Sequence, residues 1–107
     1  MKQRKPVIVG IGRTAFGRRS GRTTLAMAAE AAREALADAG LDATQVDGAA
    51  TYQAADSASP MAVADAIGSP GLRWNIDLMG GGNYASSVVT NAAMAIECGL
   101  CDTAIVY

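Results

Sequence analysis

Three clusters in the sequence have residue types and spacing that can do chemistry. Gly80-Gly81-Gly82-Asn83 lies between an apolar stretch and a helical pattern. A glycine turn there aims backbone N–H groups at one point, where an anion, an oxyanion or a close-approaching substrate can be held. In nucleophile-elbow enzymes a serine or cysteine sits on such a turn. Here neither does, and Ser86 and Ser87 fall about a turn further on, inside the helix, with no base near them. A purely structural tight turn is the competing reading. Gly10-x-Gly12-x-x-Ala15 matches the dinucleotide fingerprint, but a basic loop follows where the helix should open. No acidic residue ends the next strand to hold a ribose, so these glycines read as a strand-to-loop turn. Cys98-Gly99-Leu100-Cys101 is a CxxC at a helix C-terminus, where the dipole disfavours a thiolate. Zinc would need two further ligands, and the chain has no His and no third Cys, so these read as packing thiols.

The elements that must position these clusters follow from periodicity. Residues 6–12 are β-branched and apolar, as in a buried strand, and 16–22 form a polar loop with Gly17 and Gly21. Thr23 or Thr24 caps a helix over 25–39. Its apolar face is Leu25, Ala28, Ala29, Ala32, Leu36 and Ala39, and its polar face is Glu30, Arg33, Glu34 and Asp38. Gly40 stops it. A connector ending at Asp47-Gly48 leads to a strand over 49–52. After a loop over 54–60, Ser57, Ser59 and Pro60 announce a short helix over 61–67, ended by Gly68-Ser69-Pro70-Gly71. A strand over 73–78 precedes the glycine turn. Ala85, Val88, Val89, Ala92, Ala93 and Ile96 mark one face of another helix, with Gly99 past its end. Residues 104–107 begin a further strand. A chain that stops inside that apolar run reads as a fragment of a longer protein. The order β-α-β-α-β-α-β implies an α/β fold with a mostly parallel sheet and right-handed crossovers.

Composition narrows the function classes. The chain has 107 residues and a mass of 10.9 kDa, one domain at most. Half of it is hydrophobic and 18% is charged, which excludes a disordered chain. Two cysteines are too few for a disulfide framework and fit a reducing, cytoplasmic setting. No apolar run approaches a membrane span, and the apolar part of 7–12 is too short for a signal peptide. The absence of His excludes a Ser–His or Cys–His dyad and a His-based metal site from this span. Aromatic residues make up 5%, which argues against a single-stranded nucleic-acid platform. Residues 1–22 carry Lys2, Arg4, Lys5, Arg13, Arg18, Arg19 and Arg22 and no acid, a net +7 against −8 for the remainder. Such an arm attracts a phosphorylated ligand, or it is a solvated or subunit-interface strip; no other nucleic-acid signature accompanies it.

Three stretches together resemble the thiolase superfamily. They are the run from Val9 to Gly17, the helix ending Glu34-Ala35-Leu36-Ala37-Asp38-Ala39-Gly40-Leu41, and the stretch from Gly80 through the helix to Cys98-Gly99-Leu100-Cys101-Asp102-Thr103-Ala104-Ile105-Val106. The resemblance implies a partial thiolase-like fold, with residues 1–107 as the N-terminal part of a longer thiolase-like domain. It places the family's acylated cysteine position near Gly82, so the equivalent turn Gly81, Gly82, Asn83 lacks a nucleophile, and Gly80, Gly81 and Gly82 border the substrate. That departure is similar to the lipid-transfer, sterol-carrier-protein-x branch. It implies carbon–carbon cleavage of acyl-CoA thioesters of steroid or lipid side chains, of the retro-aldol type. Coenzyme A thioester is then the substrate, with no bound cofactor or metal. A homodimer and a small OB-fold, zinc-ribbon partner are further implications, as is an inactive span when it stands alone. An acetyl-CoA acetyltransferase, or a non-catalytic acyl-CoA-binding or lipid-binding subunit, are the alternatives.

Overall fold

The computed structural model describes residues 4–18 and 20–107. Helix α1 (Thr24–Ala39) begins where Thr23 Oγ1 accepts the amide of Ala26 at 3.0 Å. It ends at Gly40, whose φ of 69° lets the Leu41 amide reach back to the Leu36 carbonyl at 2.9 Å. Helix α2 (Pro60–Ile67) repeats the scheme, with Ser59 as its cap, Pro60 in the first turn and Gly68 left-handed at its end. Helix α3 (Ala85–Glu97) closes the same way through Gly99, with the Leu100 amide on the Ala95 carbonyl at 2.8 Å. Each boundary lies within a residue of the one expected from capping and periodicity.

The strands β1 (Gly48–Gln53), β2 (Trp74–Met79) and β3 (Ala104–Val106) form one parallel sheet in the order β2-β1-β3. Gly48 pairs with Trp74 on one side and Ala104 on the other, so β1 is central. That position explains its composition: Gly48, Ala49, Ala50 and Thr51 are all buried, and small residues let helices approach both faces. On one face Ala29, Ala32 and Leu36 of α1 and Val63 and Ile67 of α2 meet Val46, Ala49 and Ile105. On the other, Val88 and Ala92 of α3 meet Ala50, with Trp74, Ile76 and Leu78 half-buried around them.

One expected element is corrected. Residues 6–12 form no strand; they lie beside α1, and Val7, Ile8 and Val9 stay exposed. Two contacts hold them there. The Ile11 amide donates to Asp38 Oδ2 at 2.9 Å, and Arg4 pairs with Asp102. No strand pairs with the segment, and an apolar slot of about 610 Å³ lies between it and β3, lined also by α1 and α3. The observed order is therefore α-β-α-β-α-β.

The amino ends of the strands are tied by one carboxylate. Asp47, only 17% exposed, accepts the amides of Asp102 and Thr103 at 2.9 Å each, and Arg73 lies 3.3 Å away. Arg4 holds the Asp102 carboxyl below its ordinary range, first through its hydrogen bond and then through its charge. A carboxyl lowered in the folded state keeps its contribution above the ordinary carboxylate range and loses it only in more acid solution.

Candidate functional site

The carboxyl ends of β1 and β2 and the start of α3 meet at the glycine turn. In parallel α/β sheets this end of the strands is where ligands bind. The Gly80 amide donates to the Gln53 carbonyl at 2.9 Å and continues the β1–β2 ladder. Gly82–Tyr84 then form a single 3-10 turn that feeds directly into α3. Tyr84 donates its amide to the Gly81 carbonyl at 3.0 Å. The first amides of this turn have no intrahelical acceptor and bear the positive end of the α3 dipole.

The three glycines differ in what they do for the fold. A Cβ at Gly80 would overlap Cδ2 and Cε2 of Tyr84, so that ring requires a glycine beneath it. At Gly81 a Cβ would meet only Asn83 Oδ1 at 3.8 Å, and at Gly82 nothing lies within 4 Å. Neither Gly81 nor Gly82 has a positive φ. The fold needs the first glycine and leaves open ground over the next two. Gly81, Gly82 and Asn83 are exposed, so the structure brings the sequence-singled residues together on one accessible surface.

The polar groups at this end of the sheet are already engaged. Gln53 Nε2 donates to Asp77 at 2.8 Å, and the Tyr107 hydroxyl donates to the Ala58 carbonyl at 2.7 Å. Burial, and then the charge of Asp77, raise the Tyr107 phenol far above its ordinary range, so it remains protonated. Ser86 and Ser87 are exposed on α3, with Thr90 and Asn91 side chains donating to their carbonyls.

The other two clusters are structural. A Cβ at Gly10 or Gly12 would overlap the carbonyl of Ala35 or Ala31, so these glycines let the 6–12 segment sit directly on α1. Sequence reasoning treated them as a turn and missed this close approach, although Ala31 and Ala35 on a second face of α1 hint at it. Cys98 is exposed, whereas Cys101 is buried against Gly48, and both are free. Burial, followed by the charges of Asp47 and Asp102, raises the Cys101 thiol. Iodoacetamide at mildly alkaline pH should therefore alkylate Cys98 and spare Cys101, read by peptide mass; equal labelling would contradict this assignment. No group of three or more metal-ligating side chains occurs among the described residues. Among them, too, no helix is long and apolar enough to cross a membrane. Of the basic arm, Arg22 pairs with Glu30 at 2.8 Å and Arg13 lies over the Phe16 ring; Lys2 and Arg19 are outside the described residues.

No family model matches the chain. Among solved structures, the Ltp2-ChsH2(DUF35) aldolase superposes with a TM-score of 0.86 and 39% identity, over 92% of this chain and 26% of that one. The SCP2-thiolase like protein type 1 of Mycobacterium smegmatis gives a TM-score of 0.77 at 30% identity, over 95% and 22%. The chain is thiolase-like. Two curated relatives match nearly the whole chain. The 17-hydroxy-3-oxo-4-pregnene-20-carboxyl-CoA lyase of Mycobacterium tuberculosis is 45% identical over 94% of this chain. The steroid side-chain-cleaving aldolase of Thermomonospora curvata is 40% identical over the same share. The thiolase-like chain spans about a quarter of the length of either, 26% and 25%.

Proposed function

We propose that this thiolase-like chain is the N-terminal part of an enzyme that cleaves a carbon–carbon bond in the acyl-CoA thioester of a steroid side chain, by a retro-aldol step. The observation that carries the reading is the pair of relatives, a CoA-thioester lyase and a side-chain aldolase, matched across nearly the whole chain. The glycine turn supports it. The thiolase resemblance implies an acylated cysteine near Gly82, in the turn that leads into α3, and Gly82 and Asn83 stand there instead.

In the proposed step a base takes the proton of the β-hydroxyl, and its oxygen forms a ketone. The bond from the carbinol carbon to the α-carbon of the thioester breaks, and its electron pair passes into the thioester as an enolate. Protonation of the α-carbon releases the shortened acyl-CoA. The amides at Gly82 and Asn83, at the positive end of α3, suit the enolate oxygen. The bare surface over Gly81 and Gly82 leaves room for a substituted carbinol carbon. The base and the acid belong to the remainder of the enzyme. The Ltp2-ChsH2(DUF35) aldolase supports a DUF35-type partner here, and a homodimer, which the thiolase resemblance implies, completes the proposed arrangement.

The test is a turnover assay on the full-length protein with its DUF35-type partner and 17-hydroxy-3-oxo-4-pregnene-20-carboxyl-CoA. Release of ketone and acyl-CoA in equal amounts, with no free CoA consumed, is the expected result. Cleavage only of a β-keto thioester, and only with added CoA, would identify a thiolase instead. Saturable binding without turnover would identify an acyl-CoA-binding subunit.

A further inference from the structure

We infer that Tyr84 is the positioning residue of the glycine turn, and that its ring, not its hydroxyl, sets the direction of the amides at Gly82 and Asn83. The turn has little else to define it. Gly81 and Gly82 lack side chains and have the widest conformational freedom of any residue type, and what holds them is one backbone bond each, from the Tyr84 amide to the Gly81 carbonyl and from the Ala85 amide to the Gly82 carbonyl. Tyr84 restrains both of its ends. The Cδ2–Cε2 edge of its ring lies against Gly80, which the Gln53 carbonyl anchors to the sheet. Its amide closes the turn on the Gly81 carbonyl. The ring thus ties the last rung of the β1–β2 ladder to the residue that precedes α3, across Gly81 and Gly82, which have no side chains to do so. Its hydroxyl makes no hydrogen bond among the described residues, so the restraint is packing of an aromatic edge on a bare Cα.

The glycine at 80 is the complement of this ring. Sequence reasoning grouped Gly80 with Gly81 and Gly82 as substrate-bordering, and the packing separates their roles. Gly80 receives the tyrosine, while Gly81 and Gly82 stay open.

The inference rests on the aldolase reading only for its kinetic arm. In the full-length enzyme, Tyr84→Ala should lower kcat about 10- to 100-fold with KM nearly unchanged, since a misplacement of about 1 Å has an effect of that order. Tyr84→Phe should retain kcat within about twofold, because it keeps the ring edge. Gly80→Ala should reproduce the Tyr84→Ala defect by pushing the ring away, which also covers the case in which Tyr84→Ala does not fold. The second arm is amide hydrogen exchange, independent of any reaction. Exchange at the Tyr84 and Ala85 amides, which close the turn on the Gly81 and Gly82 carbonyls, should quicken about tenfold or more in Tyr84→Ala, with the Gly80 amide and the β1 amides unchanged. A Tyr84→Phe defect as large as that of Tyr84→Ala would overturn the inference, because it would place the hydroxyl in the chemistry. Unchanged exchange in both Tyr84→Ala and Gly80→Ala would also overturn it. If the wild-type enzyme cleaves no β-hydroxy thioester, the aldolase reading fails and exchange alone decides the role of Tyr84.

Discussion

Gly82→Val in the full-length protein should abolish carbon–carbon cleavage while the fold survives. The structural half of this expectation rests on empty space. No atom stands within 4 Å of a Cβ at Gly82, and its φ is not positive. Valine there lies at an exposed first helical turn, where a substitution changes stability by about 0.5 kcal/mol or less in either direction. The functional half rests on the same space. A branched side chain would occupy the ground over the first amides of α3, where the proposed enolate sits. Loss of an oxyanion contact of this kind lowers kcat by about 10²- to 10³-fold. The thermal midpoint and the turnover number, measured together, check both halves. Normal turnover in a folded variant would remove the turn from the active site. Gly80→Val is the opposite control: it collides with the Tyr84 ring, so it should lose stability along with turnover.

Asp47→Ala should be the most destabilising exchange at the amino ends of the strands, by about 2–3 kcal/mol. Its carboxylate serves the amides of Asp102 and Thr103, and alanine would leave both without their acceptor in a partly buried place. The Arg73 contact adds little, since that guanidinium is more than half exposed at 56%. Arg73→Ala should therefore lose about 1 kcal/mol or less. Denaturant unfolding of the two variants side by side tests the ranking. A larger loss in Arg73→Ala would mean that the ion pair, and not the amide cradle, fastens β3 to β1.

Much of this protein was legible in its residues. Thr23 and Ser59 as caps, Gly40, Gly68 and Gly99 as left-handed stops, and the apolar spacing of α1 and α3 all act within a turn or two of the chain, so the helices were readable almost to the residue. The alternation of strand and helix was enough for a parallel sheet. The glycine turn was visible as well, because a strand end, a glycine run and a helix start are neighbours in sequence.

The remainder depended on residues far apart. The β-branched run at 6–12 has every local mark of a strand, yet a strand exists only where another backbone supplies its hydrogen bonds, and β3 lies across an apolar slot from it. Gly10 and Gly12 read as a strand-to-loop turn, and only the approach of α1 shows why a side chain is excluded there. Asp47 resembled the end of a connector, because the amides it holds come 55 and 56 residues later. Gly80, Gly81 and Gly82 were equivalent as letters until the Tyr84 ring took its place on the first of them. Capping and helical periodicity are short-range forces that the sequence by itself determines. Strand pairing, close approach and the satisfaction of buried amides are properties of the assembled chain, and only the tertiary structure decides them.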